Sequence, residues 1–419
     1  MCNRYSESRL VYQWDSVDSS ITLSALSQEQ LLTDISSPNL VLARDLLLPG
    51  ATYTFDLTAE VSGVDYLEPG WASLTVVTNS PPALGSCSVT LSAEPLGLSE
   101  LRCSEWTDDS ADLPLQYQFG YLTRDTSSFF ALTDWQTSPS TSIQLPVGPL
   151  EIQARVVDNK HAQAVYTMSV DVPTADLSED GALEDATDSL LGGAEQALAL
   201  GDLNAFSQLT ALTLSLLPDE NGTTDSTGSS EGSQDSSVSQ VQAVSTTLRE
   251  RLFNLTRALA QTASSQTTNE LVVSLVASTC ERSDQLTPEV RLGSLNLLSE
   301  TAQELQTYGP LATTQTEQML YTVSQVVSSF VAAPASSALS VSSFTQEDSE
   351  EVREEQLEFA EAVFSLALNM TAGVASGMVA YQQPSVQSSA RVSLQSQVRP
   401  PTPTSHISYI ASFSLSLSL

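Results

Sequence analysis

The stretch Cys87–Tyr121, CSVTLSAEPLGLSELRCSEWTDDSADLPLQYQFGY, decides the fold. Apolar residues alternate through Cys87, Val89 and Leu91, and again through Leu115, Tyr117 and Phe119. That period of two marks strands with one buried face. A third strand around Ser99, Leu101 and Cys103 would bring its cysteine back beside Cys87 if EPLG turns the chain, which makes a disulfide geometrically plausible. Strand, bridge and Trp106 together read as half of a β-sandwich.

Upstream, residues 1–82 hold Tyr12 and Trp14, then LVLARDLLLPG, then the alternation Tyr53, Phe55, Leu57, Ala59, and Trp71 to Val77 before Pro81 and Pro82. This is a strand-rich module closed by a proline hinge. Its parts recur downstream. Trp14-Asp15 matches Trp106-Thr107-Asp108 at an offset of 92, and Leu48-Pro49-Gly50 with Tyr53, Phe55 and Leu57 matches Leu145-Pro146-Val147-Gly148 with Leu150, Ile152 and Ala154 at about 97. A repeat of that length predicts two tandem fibronectin/immunoglobulin-like β-sandwiches, the first (1–82) without its opening strand and the second over 83–173. Each tryptophan is expected in a core, at equivalent positions, with a ligand-binding tryptophan as the alternative. Asp108, Asp109 and Asp112 read as a solvated loop, with half a calcium site as the alternative.

From about Asp176 alternation stops and apolar residues recur every three or four. Residues 174–380 are therefore expected to be an α-helical bundle of six or seven helices. One stripe runs Val241, Val244, Leu248, Leu252, Leu255, Leu259, with Asn254 off it. A second helix opens at Thr287-Pro288-Glu289, with a capping threonine and proline at the first position, and runs through Leu295, Leu298, Ala302 and Leu305. A third carries Met319, Val323, Val326 and Phe330 and is expected to end at Pro334; a fourth carries Leu357, Val363, Phe364 and Leu368. Earlier helices fall near Leu190–Leu200, Leu203–Leu217 and Glu270–Thr279. Two segments carry too little apolar pattern to fold: the Ser/Gly/Asp insertion 221–240 and the tail 381–419, read as disordered or as a non-native end, although SFSLSLSL alternates as an edge strand would.

The order PPALGSC, a second cysteine followed by Trp106 and an acidic pair, then LPLQYQFGY resembles the start of the receptor-for-egg-jelly (REJ) region of the large, receptor-like polycystins, and the likeness spans roughly residues 10–375. With the placement of the two cysteines on successive strands, the resemblance implies a Cys87–Cys103 disulfide. It also implies an extracellular segment of a membrane receptor that senses ligand or force. That segment would act in adhesion, and in the family the membrane domain that follows is linked to calcium entry and cilium or gamete signalling. The implied partners are an unidentified extracellular protein or carbohydrate and a channel-forming polycystin. The helical part is similar to the family's region overlapping the helical half of a GAIN-type autoproteolysis domain. No paired-cysteine, tryptophan and His-Leu-Ser/Thr cleavage motif follows, and the pattern departs after about Val379, so self-cleavage is not carried over. The contrasting readings are a soluble secreted structural or adhesion protein without signalling, and a cytosolic scaffold.

Composition bears on these choices. Fifteen basic against fifty acidic residues leave a formal charge of −35, which repels phosphate backbones and anionic head groups, so nucleic acid is not an expected partner. Lys160 is the only lysine. Cys2, Cys87, Cys103 and Cys280 contain no C-x-x-C; one disulfide and two leftover thiols is the reading, four reduced thiols in the cytosol the alternative. Sequons at Asn221, Asn254 and Asn369 are glycosylation sites if the chain enters the secretory pathway. The opening MCNRYSESRL has no apolar h-region and no eighteen-residue uninterrupted apolar run occurs, so the expectation is a fragment, or incomplete gene model, of a receptor on the plasma or ciliary membrane.

No catalytic, metal or cofactor site is expected. Gly228-Ser229-Ser230-Glu231-Gly232 satisfies G-x-S-x-G but lies in the Ser/Gly/Asp insertion, not between strand and helix. Only His161 and His406 could serve a nucleophile; His161 follows a hairpin-like Asp158-Asn159-Lys160 and His406 lies in the tail. The expectation is binding, not turnover.

Overall fold

The computed structural model describes residues 10–17, 20–43, 46–63, 68–94, 96–123, 129–173, 182–217, 235–262, 265–282, 285–309, 311, 313–337, 346–378, 385–388, 392–399 and 408–415. The chain divides into two compact units. The first is Met1–Pro81 with Val374–Val386 and Gln395–Ser412; the second is Pro82–Gly373 with Gln387–Leu394 and Phe413–Leu419.

In the first unit, β1 (Leu10–Ser16), β2 (Thr52–Val61) and β3 (Gly70–Val77) pair antiparallel in the order β1-β2-β3. Alternation along β2 turns Tyr53 and Phe55 inward, where they meet Ile21 and Leu23. The connection from β1 to β2 adds Ile35, Leu40 and Leu42 over this face. Trp14 packs there half-buried, its indole Nε1 donating to the Ser37 carbonyl at 3.0 Å.

The second unit opens with a full two-layer sandwich. One sheet is β4 (Ser86–Thr90), β5 (Leu98–Ser104) and β8 (Ser140–Gln144), in the order β4-β5-β8. The other holds β6 (Gln116–Leu122), β7 (Phe129–Ala131), β9 (Gly148–Val157) and β10 (Gln163–Val172), in the order β10-β9-β6-β7. Leu101 and Ile143 from the first sheet and Phe119, Phe130, Ile152, Ala154 and Val156 from the second are fully buried. They are the inward residues that alternation demands.

The two modules repeat, but not through their tryptophans. The order β1-β2-β3 corresponds to β6-β9-β10, and the offset of 97 equates Leu57 with Ala154. Trp14 lies opposite Leu57, whereas Phe119 lies opposite Ala154. The counterpart of Trp14 is thus Phe119, and the expected equivalence with Trp106 is corrected. Trp106 lies beyond β5, half-buried, its ring stacked where Gly85 has no side chain; a Cβ there would collide with it. The short Trp-Asp match misled because its offset of 92 disagrees with the strand repeat by five residues.

Among the described residues seven α-helices follow: α1 (Ala182–Leu200), α2 (Leu203–Leu216), α3 (Asp235–Thr262), α4 (Gln266–Thr279), α5 (Pro288–Leu305), α6 (Thr313–Ser337) and α7 (Gln346–Ser376). The order of β-sheet sandwiches and then helices is the one the sequence predicts. Asp202, Ser265 and Thr287 cap α2, α4 and α5 by accepting from the backbone N–H three residues on. Leu248, Leu252 and Leu259 are buried, Val244 and Leu255 partly so, and Asn254 is exposed; the side chains of Val241 and Phe330 lie outside the described residues. Leu252 packs with Leu191, Leu217 and Leu248.

Two helical expectations are corrected. Helix α6 does not stop at Pro334 but runs to Ser337, since a proline near a C-terminus forfeits one hydrogen bond without closing the last turn. On α7 the buried residues include Phe359, Ala362, Val363, Leu366, Ala367, Met370 and Ala375, while Leu357, Phe364 and Leu368 are exposed. The segment Leu357–Ser376 is long and apolar enough to cross a membrane by composition, with half of it buried. Asn369 within it is hydrogen-bonded to α5, as befits a core helix.

Within residues 381–419 three strands are described, β11 (Ser385–Ser388), β12 (Val392–Arg399) and β13 (Ser408–Leu415), paired in the order β11-β12-β13; β13 ends on the SFSL that opens SFSLSLSL.

Candidate functional site

Cys87 and Cys103 face each other in the register of β4 and β5 and form a disulfide, Cα to Cα 4.0 Å. The Cys103 N–H donates to the Pro139 carbonyl at 2.8 Å, away from β4, so the pair occupies a non-hydrogen-bonded position where side chains approach most closely. Cys280 is a buried free thiol, donating to the Ser294 hydroxyl at 3.4 Å; burial pushes it up to about 11. Cys2 lies outside the described residues.

One end of the second sandwich is a latched pair of loops. The turn between β9 and β10 closes on Asp158, whose Oδ1 accepts from the Lys160 N–H at 2.8 Å and the Ala162 N–H at 2.9 Å, with His161 at φ +66°. Asn159 reaches across: its Nδ2 donates to the carbonyls of Ala111 and Leu113, each at 3.0 Å, and its N–H to that of Asp112 at 3.0 Å. Carboxylate oxygens of Asp108, Asp112 and Asp158 consequently converge within 4.8 Å. The expectation of a solvated acidic loop is corrected at Asp112, which is 2 % exposed, because Asn159 pulls its loop inward. Asp158, equally buried, was not among the candidates and comes from a strand end 46 residues further on. The triad has the oxygen donors of a small hard cation. Lys160 already stands there, its Nζ 2.5 Å from Asp112 Oδ1, which holds the ammonium above its ordinary range.

Helix α2 fastens the helical part to the sandwich. Asn204 Oδ1 accepts from the Asp134 N–H at 2.6 Å, Gln208 Nε2 donates to the Leu132 carbonyl at 3.2 Å, and Gln208 Oε1 accepts from the Gln144 N–H at 3.2 Å. Ser215 Oγ accepts from the Val147 N–H at 3.0 Å, and Ser207 Oγ donates to the Ala131 carbonyl. Beneath them Leu212 and Leu190 pack with Val147, flanked by Leu96, Leu209 and Leu216. Side chains of one helix face thus satisfy strand-end backbone groups that would otherwise need water.

Between that sheet and the helices lies a cavity of about 470 Å³. Its lining includes Gln118, Gln153 and Arg155 from the sheet and Glu270 and Gln315 from α4 and α6. No sequence argument had singled out Arg155; the only signal is its place at an outward position of β9.

The sequons separate. Asn254 is exposed on α3. Asn369 Nδ2, the atom a glycan would occupy, donates to the Ser299 carbonyl at 3.0 Å and hydroxyl at 2.9 Å. Asn221 lies outside the described residues, as do the G-x-S-x-G string and His406.

A family model described as REJ domain matches residues 1–212, just over half of the chain. The match takes in both sheet modules, α1 and the part of α2 that carries Asn204, Ser207 and Gln208. No curated protein matches the chain.

Proposed function

The chain belongs to the REJ domain family, and on that premise we propose that it is a non-enzymatic, extracellular segment of a polycystin-like membrane receptor, acting in adhesion and in ligand or force sensing. The observation that carries this reading is the docking of α2. Its hydrogen bonds and the Leu212–Val147 contact bind α2 directly to the sandwich within one compact unit, so a load or ligand on the sandwich is passed to the helices through α2. The disulfide fits an oxidising compartment, where such bridges persist. Exposed Asn254 on a packed helix fits the same compartment, since a glycan there disturbs no contact.

The test is expression of the full chain in parallel in a secretory host and in a reducing cytosol. The receptor reading expects folded secreted protein with Cys87 bridged to Cys103 and a glycosidase-sensitive Asn254, and poorer yield from the cytosol. Folded cytosolic protein with reduced thiols, alongside a misfolded secreted form, would favour a scaffold inside the cell.

A further inference from the structure

Outward positions on the β10-β9-β6-β7 sheet carry Gln118, Gly120, Gln153 and Arg155, with Gln118 opposite Arg155 and Gly120 opposite Gln153. The absent side chain at Gly120 leaves the space in which the Phe129 ring lies; a Cβ there would strike both that ring and the Phe130 carbonyl. The Arg155 guanidinium in turn lies 3.6 Å from the Phe129 ring centroid. The ring braces the guanidinium at the cavity wall. Among the described residues no carboxylate reaches Arg155 at ion-pair distance, and its buried Nε makes no hydrogen bond. Glu270 attracts it only through space, because Glu270 Oε1 is taken by the amides of Gln266 at 2.9 Å and Gln315 at 3.0 Å.

In a chain with fifty acidic residues, an arginine without an acid partner does not reflect a shortage of carboxylates. Burial pulls Arg155 down to about 10, so it stays charged at neutral pH while only partly solvated. A donor fork held on an aromatic face and facing open volume matches a planar carboxylate. The acids Glu270, Asp134 and Glu317 on the same lining oppose a multiply charged anion and favour a ligand with its own positive end.

We propose that this cavity binds a small zwitterionic carboxylate of free amino-acid type, with Arg155 receiving the carboxylate and Glu270 and Asp134 facing the ammonium. The volume lies within the range of small-ligand sites and exceeds what one amino acid needs, leaving room for bridging water. Sheet residues supply one wall and α2, α4 and α6 the other, so occupancy would tighten the sandwich against the bundle.

The experiment screens the twenty L-amino acids, with acetate and methylammonium as half-ligands, by thermal shift and calorimetry on the full chain. At least one amino acid should raise the melting temperature and bind more tightly than either half-ligand. Arg155→Met, which keeps the stem against Phe129 and removes the fork, should weaken binding at least about 10-fold while leaving the ligand-free melt unchanged. Arg155→Lys, should the methionine variant not fold, should lose affinity in the same direction. Glu270→Gln should lower the preference for the amino acid over acetate. No shift with any amino acid, equal binding by the Arg155 variants, or acetate matching the best amino acid would each overturn the proposal. Binding is read on the isolated chain, so such a failure leaves the receptor reading standing.

Discussion

Cys280 sits at the centre of the helical core without a bond to another cysteine, and its thiol is raised from 9.0 to about 11 mainly by burial, the Ser294 hydroxyl pulling the other way. Unfolding at high pH lets this thiol ionise, so protons leave the unfolded state first and stability falls as pH rises past 9.0. Tyr121 and Tyr117 are raised by burial, and Lys160 by Asp112, and all act in the same direction at higher pH. The chain should therefore lose stability between about pH 9 and pH 11, with Cys280 contributing on the order of 2–3 kcal/mol and Arg155, pulled down to about 10 by burial, opposing the loss above pH 10. Chemical denaturation of wild type and Cys280→Ala across that range checks this; an equally steep alkaline limb in both would remove Cys280 as a cause. Gly120→Ala should cost about 1–3 kcal/mol by overpacking, because the Phe130 carbonyl it meets belongs to the paired strand and cannot yield. None of this was readable beforehand. A cysteine's burial and a glycine's neighbours are set by the partner element, not by flanking sequence.

Elements were legible where the pattern is local. Alternation placed β4, β5, β6, β9 and the cysteine pair, and the 3.6-residue stripe placed α3, because each period reports one buried face. It failed on α7, where Leu357, Phe359, Val363, Phe364, Leu366 and Leu368 ring most of the helix and no single stripe marks the inner side. It also missed the docking face of α2, whose Asn204, Ser207, Gln208 and Ser215 read as solvent-facing until strand-end backbone groups are brought opposite them. Two predictions belong here. Leu252→Asp, in a cluster with Leu191, Leu217 and Leu248, loses the roughly 1.5–3 kcal/mol of a buried leucine and adds an unpaired buried charge, so it should melt the helical part. Asn254→Gln, two residues away, should only remove a glycan, and Asn369 should carry little, as its amide is bonded to Ser299. Circular dichroism and glycosidase digestion of secreted protein separate these outcomes; a folded Leu252→Asp variant would mean the stripe is not packed. Replacing Cys87 and Cys103 together with serine should cost about 3 kcal/mol, given a closed loop of 16-residue separation.

At the scale of the whole molecule, β-then-α order was legible from the change of period near Asp176, and the repeat from the offset of 97. The Arg155 cavity was not, because its walls come from β6, β7, β9, α2, α4 and α6, far apart in the chain. The account turns on whether sandwich and helices behave as one body. Native-state hydrogen exchange of the full chain, followed through increasing denaturant, reads this most directly. If α2 couples them, the slowest amides of β6 and β9 and those of α4 and α5 should exchange with the same free energy and merge into one opening, and the double variant Asn204→Ala/Gln208→Leu should split them apart. Separate exchange free energies for the two sets in the wild-type chain would contradict the account.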